Sequence, residues 1–180
     1  MRKSMCLFTC ASPRRKGSGR NGFWKTVPGW RETVVIRQMQ GRDVDAAAAL
    51  EREIFSKPWS KKSFQDALQS EYTIYLVAED NMGIIGYCGI WLSSETGDLC
   101  NMAVRPSCRR QGVGRKLLEK AIHIAAGRGA EEIFLEVRES NLAAFTLYEK
   151  LGFQKVGIRK GYYHAPTEDA IVMRYGIAGG

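Results

Sequence analysis

The 180-residue chain is 44% hydrophobic, enough for one compact domain with a core and too little for two large ones. Its net charge of +8 sits at one end: residues 1–31 hold eight of the 27 basic residues and no acid, while the rest of the chain balances 19 basic against 19 acidic groups, so charge gives the folded part no case for binding nucleic acid. Five cysteines without C-x-x-C spacing and only two histidines argue against a disulfide framework and a metal centre; no apolar run spans a bilayer, and a cytoplasmic protein fits best.

Residues 1–32 are rich in Arg, Gly and Ser, contain Pro13 and Pro28, and show no sustained periodicity. They are expected to be a disordered basic extension. A dispensable tail, an organelle transit peptide, a tail for an anionic surface and upstream sequence from a misplaced start all fit that composition. Residues 33–177 are expected to form the folded domain.

Residues 34–37 suit a short strand. Asp43 is placed to cap an alanine-rich helix reaching about residue 55. Pro58-Trp59-Ser60 breaks the chain, and Ser60 can cap a second helix through Leu68. Residues 72–78 are β-branched and aromatic; with the turn Asp80-Asn81-Met82-Gly83 and residues 84–91 they make a hairpin. Residues 99–104 form another strand, stopped by Arg105-Pro106.

The next helix opens at residues 112–115. Val113, Leu117, Ala121 and Ala125 recur every four residues with Leu118 and Ile122 beside them, which marks one buried stripe. Gly127 and Gly129 can end it. Residues 133–137 suit a strand, Asn141 can cap a helix to Lys150 closed by Gly152, and residues 153–158 and 170–175 are the last strands. Hairpins followed by alternating helices and strands predict an α/β (α+β) architecture: a mixed, twisted central sheet with helices on both faces.

Between a strand and the long helix lies Arg109-Arg110-Gln111-Gly112-Val113-Gly114-Arg115. The first turn of a helix leaves backbone N–H groups unpaired at the positive end of its dipole. Glycines at 112 and 114 keep side chains away from those donors, and Arg109, Arg110 and Arg115 add positive charge. This suits a pyrophosphate. An ordinary glycine turn with solvated arginines is the plainer alternative. No G-K-[ST] follows, and Leu117 stands where a third glycine of G-x-G-x-x-G would be, so ATP and NAD fit poorly.

The segment Arg109-x-x-Gly112-x-Gly114 resembles the R/Q-x-x-G-x-G/A acetyl-CoA signature of the GNAT superfamily. Asn101-Met102-Ala103-Val104 resembles the strand before it. Leu135-Glu136-Val137-Arg138-Glu139-Ser140-Asn141, Ala144 and Leu147-Tyr148-Glu149-Lys150-Leu151-Gly152-Phe153 are similar to the RimI type within that superfamily. So are Pro58-Trp59-Ser60, Tyr162-Tyr163 and Glu168-Asp169-Ala170-Ile171-Val172-Met173. The resemblance spans roughly residues 34–175. It implies a GNAT fold and an acetyl-CoA-dependent transferase, with no metal. The implied acceptor is the α-amine of a protein N-terminus, by family analogy the alanine of small-subunit ribosomal protein eighteen. Lys57 departs from the pattern, since some RimI-type members carry an aromatic residue before this proline.

An α-amine has a pKa of about 7.7–8.0, so a useful fraction is neutral near pH 7 and a modest base suffices to activate it. Glu136 is the candidate base: Ile133, Leu135 and Val137 point one way on its strand and Phe134 and Glu136 the other. From the residues alone it could equally be an end-of-strand carboxylate paired with Arg138 or another cation; the resemblance places the catalytic Glu here. Tyr148 is by resemblance the acid that protonates, or hydrogen-bonds, the departing thiolate. By sequence alone it reads as a core aromatic among Phe145, Leu147 and Leu151. Asn141 can cap its helix, contact the coenzyme, or both. The resemblance implies that backbone at Met102, Ala103 and Val104 pairs with the pantetheine arm and that residues 109–115 hold the pyrophosphate. Cys100 and Cys108 read as small structural residues, His123 as structural, and Trp59 as a core anchor. A GNAT acting on a small amine or a lysine is one competing function, and a non-catalytic acyl-CoA-binding or ribosome-associated module is another.

Overall fold

The computed structural model describes residues 34–164 and 166–177, so the expected basic extension lies outside the described residues. In chain order the elements are β1 (Val35–Gln38), α1 (Val44–Ile54), α2 (Lys61–Gln69), β2 (Thr73–Asp80), β3 (Gly83–Ser93) and β4 (Thr96–Val104). Then follow α3 (Val113–Gly127), β5 (Glu132–Arg138), α4 (Leu142–Lys150), β6 (Gln154–His164) and β7 (Thr167–Gly176).

The strands form one sheet in the order β1-β2-β3-β4-β5-β7-β6. Every neighbouring pair is antiparallel except β4 and β5. Alternation along β2 divides the core in two. Ile74, Leu76 and Ala78 join a cluster with the α3 stripe Val113, Leu117, Leu118, Ala121, Ile122 and Ala125. Tyr75 and Val77 join one with α1 and α2, through Ala47, Ala48, Leu50 and Phe64. Helices thus cover both faces, as the patterning requires. Each fully buried leucine of α3 contributes about 1.5–3 kcal/mol.

Among the described residues, no helix is long and apolar enough to cross a membrane. Ser60 caps α2 as expected, accepting from the Ser63 N–H at 3.0 Å. Asp43 does not cap α1. Its carboxylate accepts from both terminal nitrogens of Arg37 at 2.6 and 2.8 Å and from the Gln40 N–H at 2.8 Å, tying the helix start back to β1. The last two strands run longer than expected and pair as one hairpin. Arg159 pairs with Ala170 and Tyr163 with Glu168, so β6 carries extra residues there. That bulge hides its β-strand pattern from a period-two reading.

Candidate active site

The site is organised by a fork. β4 and β5 pair over only three residues: Thr96 with Glu132, Gly97 with Ile133 and Asp98 with Phe134. Beyond that point β4 stays on β3, with Met102, Ala103 and Val104 opposite Cys88, Tyr87 and Gly86, while β5 stays on β7. A second irregularity, between Gly89 and Ile90 on the β3–β4 ladder, falls where β4 turns away. The two strands therefore part and present facing backbone edges.

On the β4 side the chain runs through Arg109 into α3. Gly112 occupies the N-cap with φ +81° and offers no side-chain cap, unlike Ser60 on α2 and Asn141 on α4. The first bond of the helix turn runs from the Lys116 N–H to the Gly112 carbonyl at 3.0 Å, which leaves the amides of Val113, Gly114 and Arg115 directed out of the helix end. A Cβ at Gly112 would meet nothing within 4 Å, so that glycine answers to its left-handed backbone and to open space in front of the helix. A Cβ at Gly114 would lie 3.4 Å from Leu147, 3.6 Å from Val104 and 3.8 Å from Met102. An added Cβ at Gly114 would thus make only ordinary contacts with α4 and β4. This open cradle of amides fits a diphosphate.

The side chains around it divide. Arg109 Nε donates to the Val104 carbonyl at 3.0 Å and pins the loop to the end of β4. Arg110 takes φ 63°, rare for a side-chain-bearing residue, and is exposed. Gln111 donates to the Ser107 carbonyl at 3.1 Å. Arg115 pairs with Glu119 at 2.7 Å one turn along α3. Val113 is buried, so only its backbone faces the cradle.

On the β5 side stands Glu136, two residues past the last β4–β5 pair and only 9% exposed. Ile133, Leu135 and Val137 lie in the α3-side core, so Glu136 faces the α1–α2 side, as the alternation requires. Its Oε1 lies 2.8 Å from Arg159 Nη1. Burial pushes the Glu136 carboxyl above the usual carboxylate range; Arg159 pulls it down and Asp98 pushes it further up. Arg138 is not the partner: it meets Glu168 at 2.9 Å and lies 4.0 Å over the Tyr163 ring. The Tyr163 hydroxyl donates to the Glu136 carbonyl at 3.4 Å.

Tyr148 is 2% exposed and packs in the α3-side core with Leu135, Val137 and Phe153. It therefore lies on the other side of the sheet from Glu136. Asn141 Oδ1 accepts from the Ala144 N–H at 3.3 Å, so Asn141 does cap α4. Cys100 is buried and Cys108 half-buried. His123 is exposed, in a groove of about 370 Å³ along α3 with Arg115, Lys150 and Tyr175. His164 and Lys57 are exposed too. Trp59 anchors the segment between α1 and α2 against Phe64 and Tyr75, at centroid distances of 5.4 and 6.1 Å.

Two residues escape a reading of the sequence. Arg159 lies far from Glu136 along the chain, and only the β5–β7–β6 register makes them neighbours: Arg138, Ala170 and Arg159 form a row one same-face step from Glu136, Val172 and Gly157. Glu51 is 3% exposed, accepts from the Trp59 N–H at 3.1 Å and from the Tyr87 hydroxyl, and burial pushes it up to about 7. Its signal was present, a carboxylate beside Leu50 and four residues after Ala47 on the apolar side of α1.

The chain matches the family described as acetyltransferase (GNAT) family over residues 44–153. It is 40% identical over 141 residues to the [ribosomal protein bS18]-alanine N-acetyltransferase of Salmonella typhimurium, covering 76% of this chain and 93% of that one. The solved ribosomal-protein-S18-alanine N-acetyltransferase of Escherichia coli superposes with a TM-score of 0.75 at 35% identity, covering 82% of this chain and 96% of that one. Arabidopsis thaliana NAA60, solved with acetyl-CoA, shares the fold at a TM-score of 0.74 and 18% identity, covering 82% of this chain and all of that one.

Proposed function

The chain belongs to the acetyltransferase (GNAT) family, whose members use acetyl-CoA, and on that premise we propose that it acetylates the α-amine at a protein N-terminus. The relatives named for the alanine of ribosomal protein bS18 support that acceptor for this chain. A cytoplasmic setting and a ribosomal partner belong to the same proposal, with residues 33–177 as the catalytic domain.

The observation that carries it is the carboxylate at the fork. When bound, acetyl-CoA supplies an acetyl thioester. Backbone at Met102, Ala103 and Val104, on the β4 side of the gap, lies along the pantetheine arm. The amides of Val113 and Gly114, opened by Gly112, hold the diphosphate, with Arg109, Arg110, Gln111 and Arg115 around the loop. Asn141, already the cap of α4, stands by the coenzyme.

Glu136 takes a proton from the attacking α-amine, directly or through water, as the new C–N bond forms. A carboxylate raised above its ordinary range by burial is better matched to that task near neutral pH. As the C–S bond breaks, Tyr148, approaching the gap between β4 and β5 from the α3 side while Glu136 approaches from the α1–α2 side, donates its hydroxyl proton to the departing sulfur. Turnover of acetyl-CoA with an alanine-starting peptide tests the reading, beside the same peptide with its α-amine blocked. Turnover with the free amine alone is the expected result; equal rates on both, or none with either, would sink it.

A further inference from the structure

Glu136 does not stand alone at the fork. The bulge in β6 brings Arg159 over Ala170, the small residue between it and Arg138, so its guanidinium crosses above β7 to meet Glu136 at 2.8 Å. Tyr162 lies beneath that guanidinium, 5.6 Å from its centre, and helps fix its direction. The other groups near the carboxylate act differently. Asp98, on β4, repels its charge; Val172, opposite on β7, is apolar; and the Tyr163 hydroxyl binds the backbone carbonyl instead. Arg138, the nearer cation in sequence, is committed to Glu168. Arg159 is thus the cation that opposes burial and Asp98, and burial still outweighs it.

We propose that Arg159 is a positioning residue for the reaction: it grips Oε1 of Glu136, keeps that carboxylate ionised and orients Oε2 toward the acceptor amine. The proposal rests on the assignment of Glu136 as the base. Arg159 acts through Glu136, so its loss is read in the protonation of that carboxylate. Without the guanidinium the buried carboxyl holds its proton to higher pH, so activity falls at the acidic end and recovers at the alkaline end.

The test is kcat/KM for an alanine-starting peptide from about pH 6 to 9 in the wild type, Arg159→Met, Arg159→Lys and Glu136→Gln. The ratio of each variant to wild type cancels the titration of the acceptor's own amine. Arg159→Met should lose roughly three- to tenfold at the acidic end and converge on wild type at the alkaline end, a loss moderated because Arg159 is half exposed. Arg159→Lys should restore most of the acidic limb, and the KM for acetyl-CoA should not move. A ratio flat across pH, or a changed acetyl-CoA KM, would overturn the proposal while an inactive Glu136→Gln left the base assignment standing. A fully active Glu136→Gln would instead remove the base assignment, and the role of Arg159 with it.

Discussion

The two arms of the fork use different materials. In the proposed reading the β4 arm binds through main chain: a strand edge, a helix end and a turn opened by Gly112. In the same reading the β5 arm acts through individual side chains, each placed by strand register. A backbone site tolerates most substitutions, provided that the chain keeps its path. A side-chain site fails at a single atom.

That contrast can be broken at several points. The largest effect belongs to Glu136→Gln, which should lower kcat by about 10²–10⁴-fold while leaving the KM for acetyl-CoA near wild type. Steady-state kinetics with both substrates varied would check it, and a large shift in coenzyme affinity would erase the division between the arms.

Glu51 comes next and sharpens the point about buried carboxylates on the α1–α2 side. Its folded-state value lies above the ordinary one, so the folded chain binds this proton more tightly than the unfolded chain. The associated stability is present below the ordinary carboxylate range and is lost as pH rises toward about 7, up to about 3 kcal/mol. Thermal unfolding followed against pH should show this decline. Glu51→Gln should flatten it, because the amide keeps an acceptor for the Trp59 N–H without a charge to bury.

On the β4 arm the two glycines should behave unequally. Gly112→Ala forces a side chain into the left-handed region and should cost about 1–2 kcal/mol, with a rise in acetyl-CoA KM. Gly114→Ala, whose Cβ would find ordinary contacts with Leu147 and Val104, should change stability by less than about 0.5 kcal/mol. Calorimetry on both variants separates them; equal losses would mean that space and not backbone shape governs the turn.

The sequence made the β4 arm readable because its cues are local. A two-glycine turn, an arginine and an amphipathic helix all fall within 20 residues of one another, and the structure assembles them as that order implies. The side-chain arm was half readable. Alternation along residues 133–137 put Glu136 on its correct face, yet its partner comes from a strand more than 20 residues away, across β7 and through a bulge. No period in the chain encodes that meeting. Asp43 failed as a cap for a related reason: Arg37, on a neighbouring strand, offers its carboxylate two charge-assisted bonds where a helix amide offers one neutral donor.

The short β4–β5 ladder has a consequence beyond catalysis. A sheet zipped for three residues and then parted leaves two strand edges facing each other across a gap. A ligand that lies between them closes the seam, and its binding energy adds to the stability of the fold by mass action, about 2.7 kcal/mol at a hundredfold excess over Kd. Resistance of this protein to heat and to proteases should then rise as acetyl-CoA is added.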